Sequence, residues 1–274
     1  MATSMTNLWL FTLLVPLSEL HAQVAAPRAD TIKINVRKGL SESYMNGQIK
    51  HVSDFINRFN ASTSDNAGGM RMFELFNEDD QRLSVSGRIH DAYGYKVNLF
   101  IQTVTEKHTK MPKRGPVTAK IGLKVGYNGT LDTLTVHLRK DYTADSAAYW
   151  HVTRVIAPAQ LPEEKLNTRK SHSAENKVEL PPNAHEVSFV PLLRGLDDYQ
   201  SLAPFTPCLE CRDAAWRKVE NALQSGRMTA EAVVSNKIYL AAGDWEIELS
   251  EFIREKENSG WLISDLIEKN AVMK

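Results

Sequence analysis

The chain has only two cysteines in 274 residues and no net charge, with 33 Lys plus Arg against 33 Asp plus Glu. The zero balance argues against bulk electrostatic capture of nucleic acid or of an anionic membrane. Two cysteines cannot build the dense disulfide framework of a small secreted scaffold, nor supply a four-cysteine zinc site. No run after the N-terminal segment approaches the ~20 apolar residues of a membrane-spanning helix. Also missing are a Gly-rich phosphate loop, a His-Glu-x-x-His pair and a serine flanked by glycines. What remains is an ordinary globular composition, 42% hydrophobic and 24% charged. The length suits one large domain or two small ones.

The first residues read as a signal peptide, Met1–Gln23. Leu8 to Leu17 form a short apolar core, followed by small residues at Ala22, Ala25 and Ala26. That core is too short to span a bilayer. The segment before it carries no Lys or Arg, which departs from the usual pattern of such signals. The expectation is an exported protein, periplasmic or secreted, with no membrane span in the mature chain.

Periodicity then divides the remainder. Met45, Ile49, Val52, Ile56 and Phe59 fall at spacings of four and three, which predicts a helix from about Ser41. Strands are predicted at Thr31–Arg37, Met70–Phe76, Arg82–Ile89, Tyr95–Val104, Val117–Val125, Leu131–Leu138 and Ala148–Ile156. Asn128-Gly129 marks a hairpin turn, and with Thr130 it also matches a glycosylation acceptor. Residues 157–184 hold four prolines, many charges and little apolar periodicity, so they read as a linker. The second half offers a part-helical stretch, Val187–Leu202, interrupted by Pro191 and Gly195. A better helix follows over Cys208–Gln224, with Trp216, Val219 and Leu223 on one face and Gly226 to end it. Three strands close the chain: Thr229–Ala241, Asp244–Glu255 and Gly260–Ile267. On the middle one Trp245, Ile247 and Leu249 face inward, and Glu246 and Glu248 are expected to face water.

These patterns predict an α+β protein of two domains, each with helices packed on a curved antiparallel sheet. The domains are residues 31–156 and 185–274, joined by 157–184. Tyr239 to Ile247 and Ser259 to Asp265 resemble the closing strands of NTF2-like (SnoaL-type, cystatin-like cone) domains. Asp54 to Asn60 with Tyr149-Trp150-His151-Val152 resembles a looser version in the first half. The resemblance implies helices in the concave face of a curved sheet and a cone that either binds a ligand or carries proton-transfer groups. It also implies pairing of sheets, as a dimer or as an intrachain pseudo-dimer.

The sharpest local motif is Cys208-Leu209-Glu210-Cys211 ahead of a helix. It reads as a structural disulfide, as a redox pair whose thiolate the helix start would stabilise, or as a metal or inter-chain site. A zinc ion would need two further ligands, so no metal site is assigned. The pocket candidates are Tyr239, Asp265, Trp245 and Trp261. His90, His137 and His151 lie on or beside strands, and His108, Lys110, Lys113 and Arg114 form a basic loop. No catalytic residue is assigned and no cofactor is expected. The functional expectation is a non-enzymatic binding or assembly protein that holds a small molecule or a partner protein, not nucleic acid, in a cone or on a sheet face. An NTF2-like isomerase or hydrolase and a periplasmic thiol-disulfide protein are the alternatives.

Overall fold

The computed structural model describes residues 51–64, 68–83, 92–144, 147–162, 180, 189–206, 211–252 and 258–269. The expected signal peptide, the strand Thr31–Arg37 and residues 41–50 of the first helix lie outside them. So do His90, Cys208 and most of 157–184.

The Asn128-Gly129 turn sets the centre of the sheet. Both residues have positive φ, 47° and 81°, as a two-residue hairpin turn requires. They join β1 (Val117–Tyr127) to β2 (Thr130–Tyr142) in unbroken antiparallel register, from Tyr127↔Thr130 to Val117↔Lys140. β3 (Ala148–Ile156) continues the meander beyond β2. The other edge of β1 pairs with β4 (Met228–Ala242), from Val117↔Leu240 to Tyr127↔Met228. β5 (Trp245–Phe252) and β6 (Gly260–Glu268) complete a six-stranded antiparallel sheet in the order β3-β2-β1-β4-β5-β6.

This order revises the expectation of one sheet on each side of 157–184. β2 satisfies one edge of β1 and leaves a second row of backbone N–H and C=O groups to pair. β4, from the far half of the chain, supplies the partners, so both halves build one sheet. At the two ends of the expected linker, Leu161 and Leu180 are buried, and Leu180 bridges Trp150 on β3.

Helices pack on one face of that sheet. α1 (Val52–Ser62) begins where the Asp54 carboxylate accepts the His51 backbone N–H at 3.1 Å, and it buries Val52, Phe55, Ile56 and Phe59. α2 (Gly68–Phe73) replaces the strand expected at Met70–Phe76, and the segment after it meets β6 in a single bridge, Phe76 opposite Ile263, made by the Leu75 carbonyl and the Asn77 N–H. α3 (Ala92–Glu106) replaces the strand expected at Tyr95–Val104. Its buried residues are Tyr93, Val97, Phe100, Ile101 and Val104, a helical spacing, while Tyr95 is 69% exposed. Tyr95, Val97, Leu99 and Ile101 also alternate, and that short run imitates a strand.

α4 (Val190–Tyr199) carries Pro191 in its first turn, where a missing N–H costs nothing. α5 (Ala214–Gln224) is capped by Asp213, whose Oδ1 accepts the Trp216 N–H at 2.9 Å. It therefore starts six residues after Cys208. Gly226 follows it at φ 67°. The core runs from Phe55, Phe59, Phe100, Trp216 and Leu223 on the helices to Ile121, Val136, Ile238, Ile247 and Leu249 on the strands.

Candidate functional site

Strand alternation assigns the remaining side chains to the opposite face of the sheet, here called the open face because none of the described helices packs on it. Register places Tyr239 opposite Glu248 on β5, and Glu248 opposite Asp265 on β6. Two of the four sequence-derived pocket candidates, Tyr239 and Asp265, therefore flank one glutamate in a single cross-strand row.

That glutamate is not in water. Glu248 is 8% exposed, against the sequence expectation of a solvated face. Its Oε1 accepts from Lys237 Nζ at 2.6 Å and Ser264 Oγ at 3.0 Å, and its Oε2 accepts from the Tyr239 hydroxyl at 3.0 Å. A bulge in β6 between Ile263 and Asp265 brings Ser264 within reach, and Ser250 Oγ donates to Ser264 Oγ at 3.0 Å. Burial works to raise the Glu248 pKa, but the bonds from Lys237, Ser264 and Tyr239 outweigh it and hold the carboxyl below its ordinary range. The Tyr239 phenol is pushed up, first by burial and then by the Glu248 charge.

Asp265 sits at the rim beside a second cluster. Arg82 donates to Asp80 Oδ2 at 2.6 Å and to the Ser264 carbonyl at 2.6 Å. It lies 3.9 Å above the Tyr93 ring and 3.8 Å from Asp265 Oδ1. The bond from Arg82 is the leading cause of the lowered Asp80 pKa. Burial is the leading cause of the raised Tyr93 pKa. This cluster ties the 80–82 turn and α3 to the edge strand. Sequence reasoning missed Glu248 and Arg82. A Tyr-x-x-x-x-x-x-x-x-Glu spacing across a hairpin is a signal only once the register is known.

The other two pocket candidates face the core. Trp245 is 2% exposed and meets Phe100 edge to face at 5.5 Å, and Trp261 is fully buried. His108 Nδ1 lies 3.0 Å from the Thr63 carbonyl, and Lys110 Nζ donates to the Asn60 carbonyl and Ser64 Oγ. Half of the basic loop thus caps the C-terminal end of α1, where cations are favoured. Lys113 and Arg114 remain exposed. Cys211 lies in the turn before α5 and is not a free thiol.

On the other half of the open face, His137 lies between Lys120 on β1 and Arg154 on β3, and His151 lies opposite Arg139. Burial leads in lowering both histidine pKa values. A separate cleft of about 350 Å³ opens between the end of β3 and the start of α5, with Arg154, Asp213 and Lys218 on an otherwise apolar wall. None of the pocket candidates lines it.

Chemically, the Glu248 row is a poor proton-transfer site. Its carboxylate is held ionised and already accepts three donors, so it offers little basicity to a substrate. Among the described residues no group of three or more His, Cys, Asp or Glu gathers as metal ligands would, and no helix is long and apolar enough to cross a membrane. No protein-family model, curated protein or solved structure matches the chain.

Proposed function

We propose that this is an exported, non-enzymatic binding or assembly protein that meets its partner through the open face of the sheet. One observation carries this reading. Among the described residues seven large apolar side chains are exposed, and four of them, Leu131, Ile156, Val234 and Ile267, lie on strands of the open face. Val234 stands at a bulge of β4 beside Gly122, and a methyl on Gly122 would come within 2.4 Å of Ser235 Oγ. Four exposed aliphatic side chains on one face of the sheet support reading that face as a contact surface.

The filled helix side favours binding over catalysis. Trp245, Trp261 and Leu223 are buried there, in the space that a substrate would need in an NTF2-like enzyme. The NTF2-like architecture is itself part of the proposal, supported by helices gathered against one face of an antiparallel sheet. So is a local Cys208–Cys211 disulfide, supported by the position of Cys211 just ahead of the α5 cap.

The test is site-specific photo-crosslinking in cells that express the full chain. A photoreactive residue at Leu131 or Val234 is expected to trap a partner, and one at Tyr95, exposed on α3, is not. Crosslinks from Tyr95 with none from the sheet positions would overturn the proposal.

A further inference from the structure

We propose that the β1–β2–β3 half of the open face takes an acidic, partly aliphatic extended segment of a partner protein. The inference rests on the sheet face being a binding surface, and it adds the chemistry of the partner.

The register stacks cations in adjacent rows. Lys120, His137 and Arg154 stand side by side on β1, β2 and β3, and Arg139 and His151 stand side by side in the next row. Among the described residues on these strands, the carboxylate that answers them is Asp141. It is taken by Arg139 at 3.0 Å, with His151 Nδ1 3.5 Å away. Lys120 and Arg154 are exposed, and among the described residues neither forms an ion pair. Like charges in neighbouring strand positions are unfavourable. Lys120 has Lys237 directly opposite on β4, and Lys237 is already paired with Glu248, so Lys120 and Arg154 on either side of His137 leave a site that an external carboxylate completes.

The other half of the same face is built differently. There Glu248 is matched by Lys237, and Asp265 lies near Arg82. The unmatched positive charge is therefore local, although the whole chain has zero net charge.

The apolar neighbours select a protein segment over a polyanion. Ile156 follows Arg154 on β3, two residues on, and Leu131 lies on the same face of β2, both exposed. An extended segment alternating acidic and aliphatic residues matches that pattern of charge and apolar surface. Nucleic acid would find exposed aliphatics where stacking aromatics serve it best.

Acidification should strengthen such a contact. The groups facing His137 are Lys120 and Arg154, and those facing His151 are Arg139, Asp141 and Tyr149. In the free protein this setting favours neutral imidazoles. Bound carboxylates favour the protonated form, so binding takes up protons and tightens as pH falls from 8 to 6.

The experiment uses the full-length protein and two synthetic peptides, one alternating Glu and Val and one alternating Lys and Val. The Glu peptide is expected to bind, and more tightly at pH 6 than at pH 8. Combined Lys120→Glu and Arg154→Glu should weaken it by roughly tenfold, the size expected for exposed charge pairs. Arg58→Glu on α1, which is exposed and on the helix side of the sheet, should not. Lys120→Gln with Arg154→Gln serves if the charge reversals lower the melting temperature. The inference is overturned by no binding at millimolar peptide, by equal binding of the Lys peptide, or by charge variants that bind as the wild type. It is also overturned if an oligonucleotide or vesicles of anionic phospholipid bind more tightly than the Glu peptide. Partner crosslinks from Leu131 or Val234 that persist in the charge variants would leave the binding face standing and remove only its acidic partner.

Discussion

Tyr239 and Glu248 stand directly opposite each other on β4 and β5, and the phenol donates to the carboxylate at 3.0 Å. The pair lies on the open side of a sheet, yet Glu248 is nearly sealed from solvent. Lys237 and Ser264 complete its shell. A buried carboxylate with this many donors is a fixed part of the sheet, and breaking its shell leaves donors unpaired.

Glu248→Gln should therefore cost about 1–3 kcal/mol of stability, read as a lower denaturant midpoint. The sign of its pH dependence follows from the depressed pKa. A carboxyl whose folded pKa lies below its unfolded value stabilises above the unfolded value and loses that contribution as pH falls through the folded one. The gap between wild type and variant should be full at pH 7 and shrink below about pH 4. A gap that stays constant from pH 7 to pH 3 would show that the charge plays no part.

Tyr239 responds at the other end of the scale. Its pKa is raised, chiefly by burial and then by Glu248. A raised folded pKa gives a contribution that is complete below the phenol's unfolded value and lost as pH climbs through the folded one. The ultraviolet titration of the native protein should show two phenols, Tyr93 and Tyr239, ionising later than the ordinary value of about 10, and Tyr239→Phe should remove one of them. A titration curve that loses an ordinary phenol instead would contradict the burial of this hydroxyl.

Most strands were legible because their alternation was long. Ala148–Ile156 and Gly260–Ile267 were read almost to the residue. The helices read as strands share one cause, which is that short apolar runs fit both periods. Tyr95-Val97-Leu99-Ile101 alternates, but Tyr93, Val97, Phe100 and Val104 are the residues that reach the core. The joining of the two halves was hidden for another reason. The β1–β4 pairing links residues more than 100 positions apart, and no local signal encodes it. Alternation places Glu248 on the solvent side because it gives the face of a strand and says nothing of what its neighbours do there. Ser264 reaches it through a bulge, and bulges leave no mark in periodicity.

Trp245 tests the division between core and site. It packs edge to face with Phe100 at 5.5 Å and is 2% exposed. Trp245→Ala should cost about 3–5 kcal/mol. The loss should appear in the denaturant midpoint, while binding of the Glu peptide, measured well below the melting temperature, stays within about twofold of wild type. A variant of unchanged stability with lost binding would return Trp245 to the list of contact residues.

Gly195 lies inside α4, where glycine is normally a poor choice. A methyl group built on it falls 2.2 Å from Phe205 Cζ, so the bare backbone is what lets the Phe205 ring lie against the helix. Phe205 is buried and also meets Tyr199 edge to face at 6.1 Å. On propensity alone, Gly195→Ala would stabilise the helix by about 1 kcal/mol. Overpacking costs about 1–3 kcal/mol and should win, because the ring is buried and already packed against the same helix at Tyr199. The expected result is a lower melting temperature for Gly195→Ala, recovered in part when Phe205→Leu is added to make room. If Gly195→Ala melts higher than wild type, the ring can move aside and the close approach is not needed for the fold.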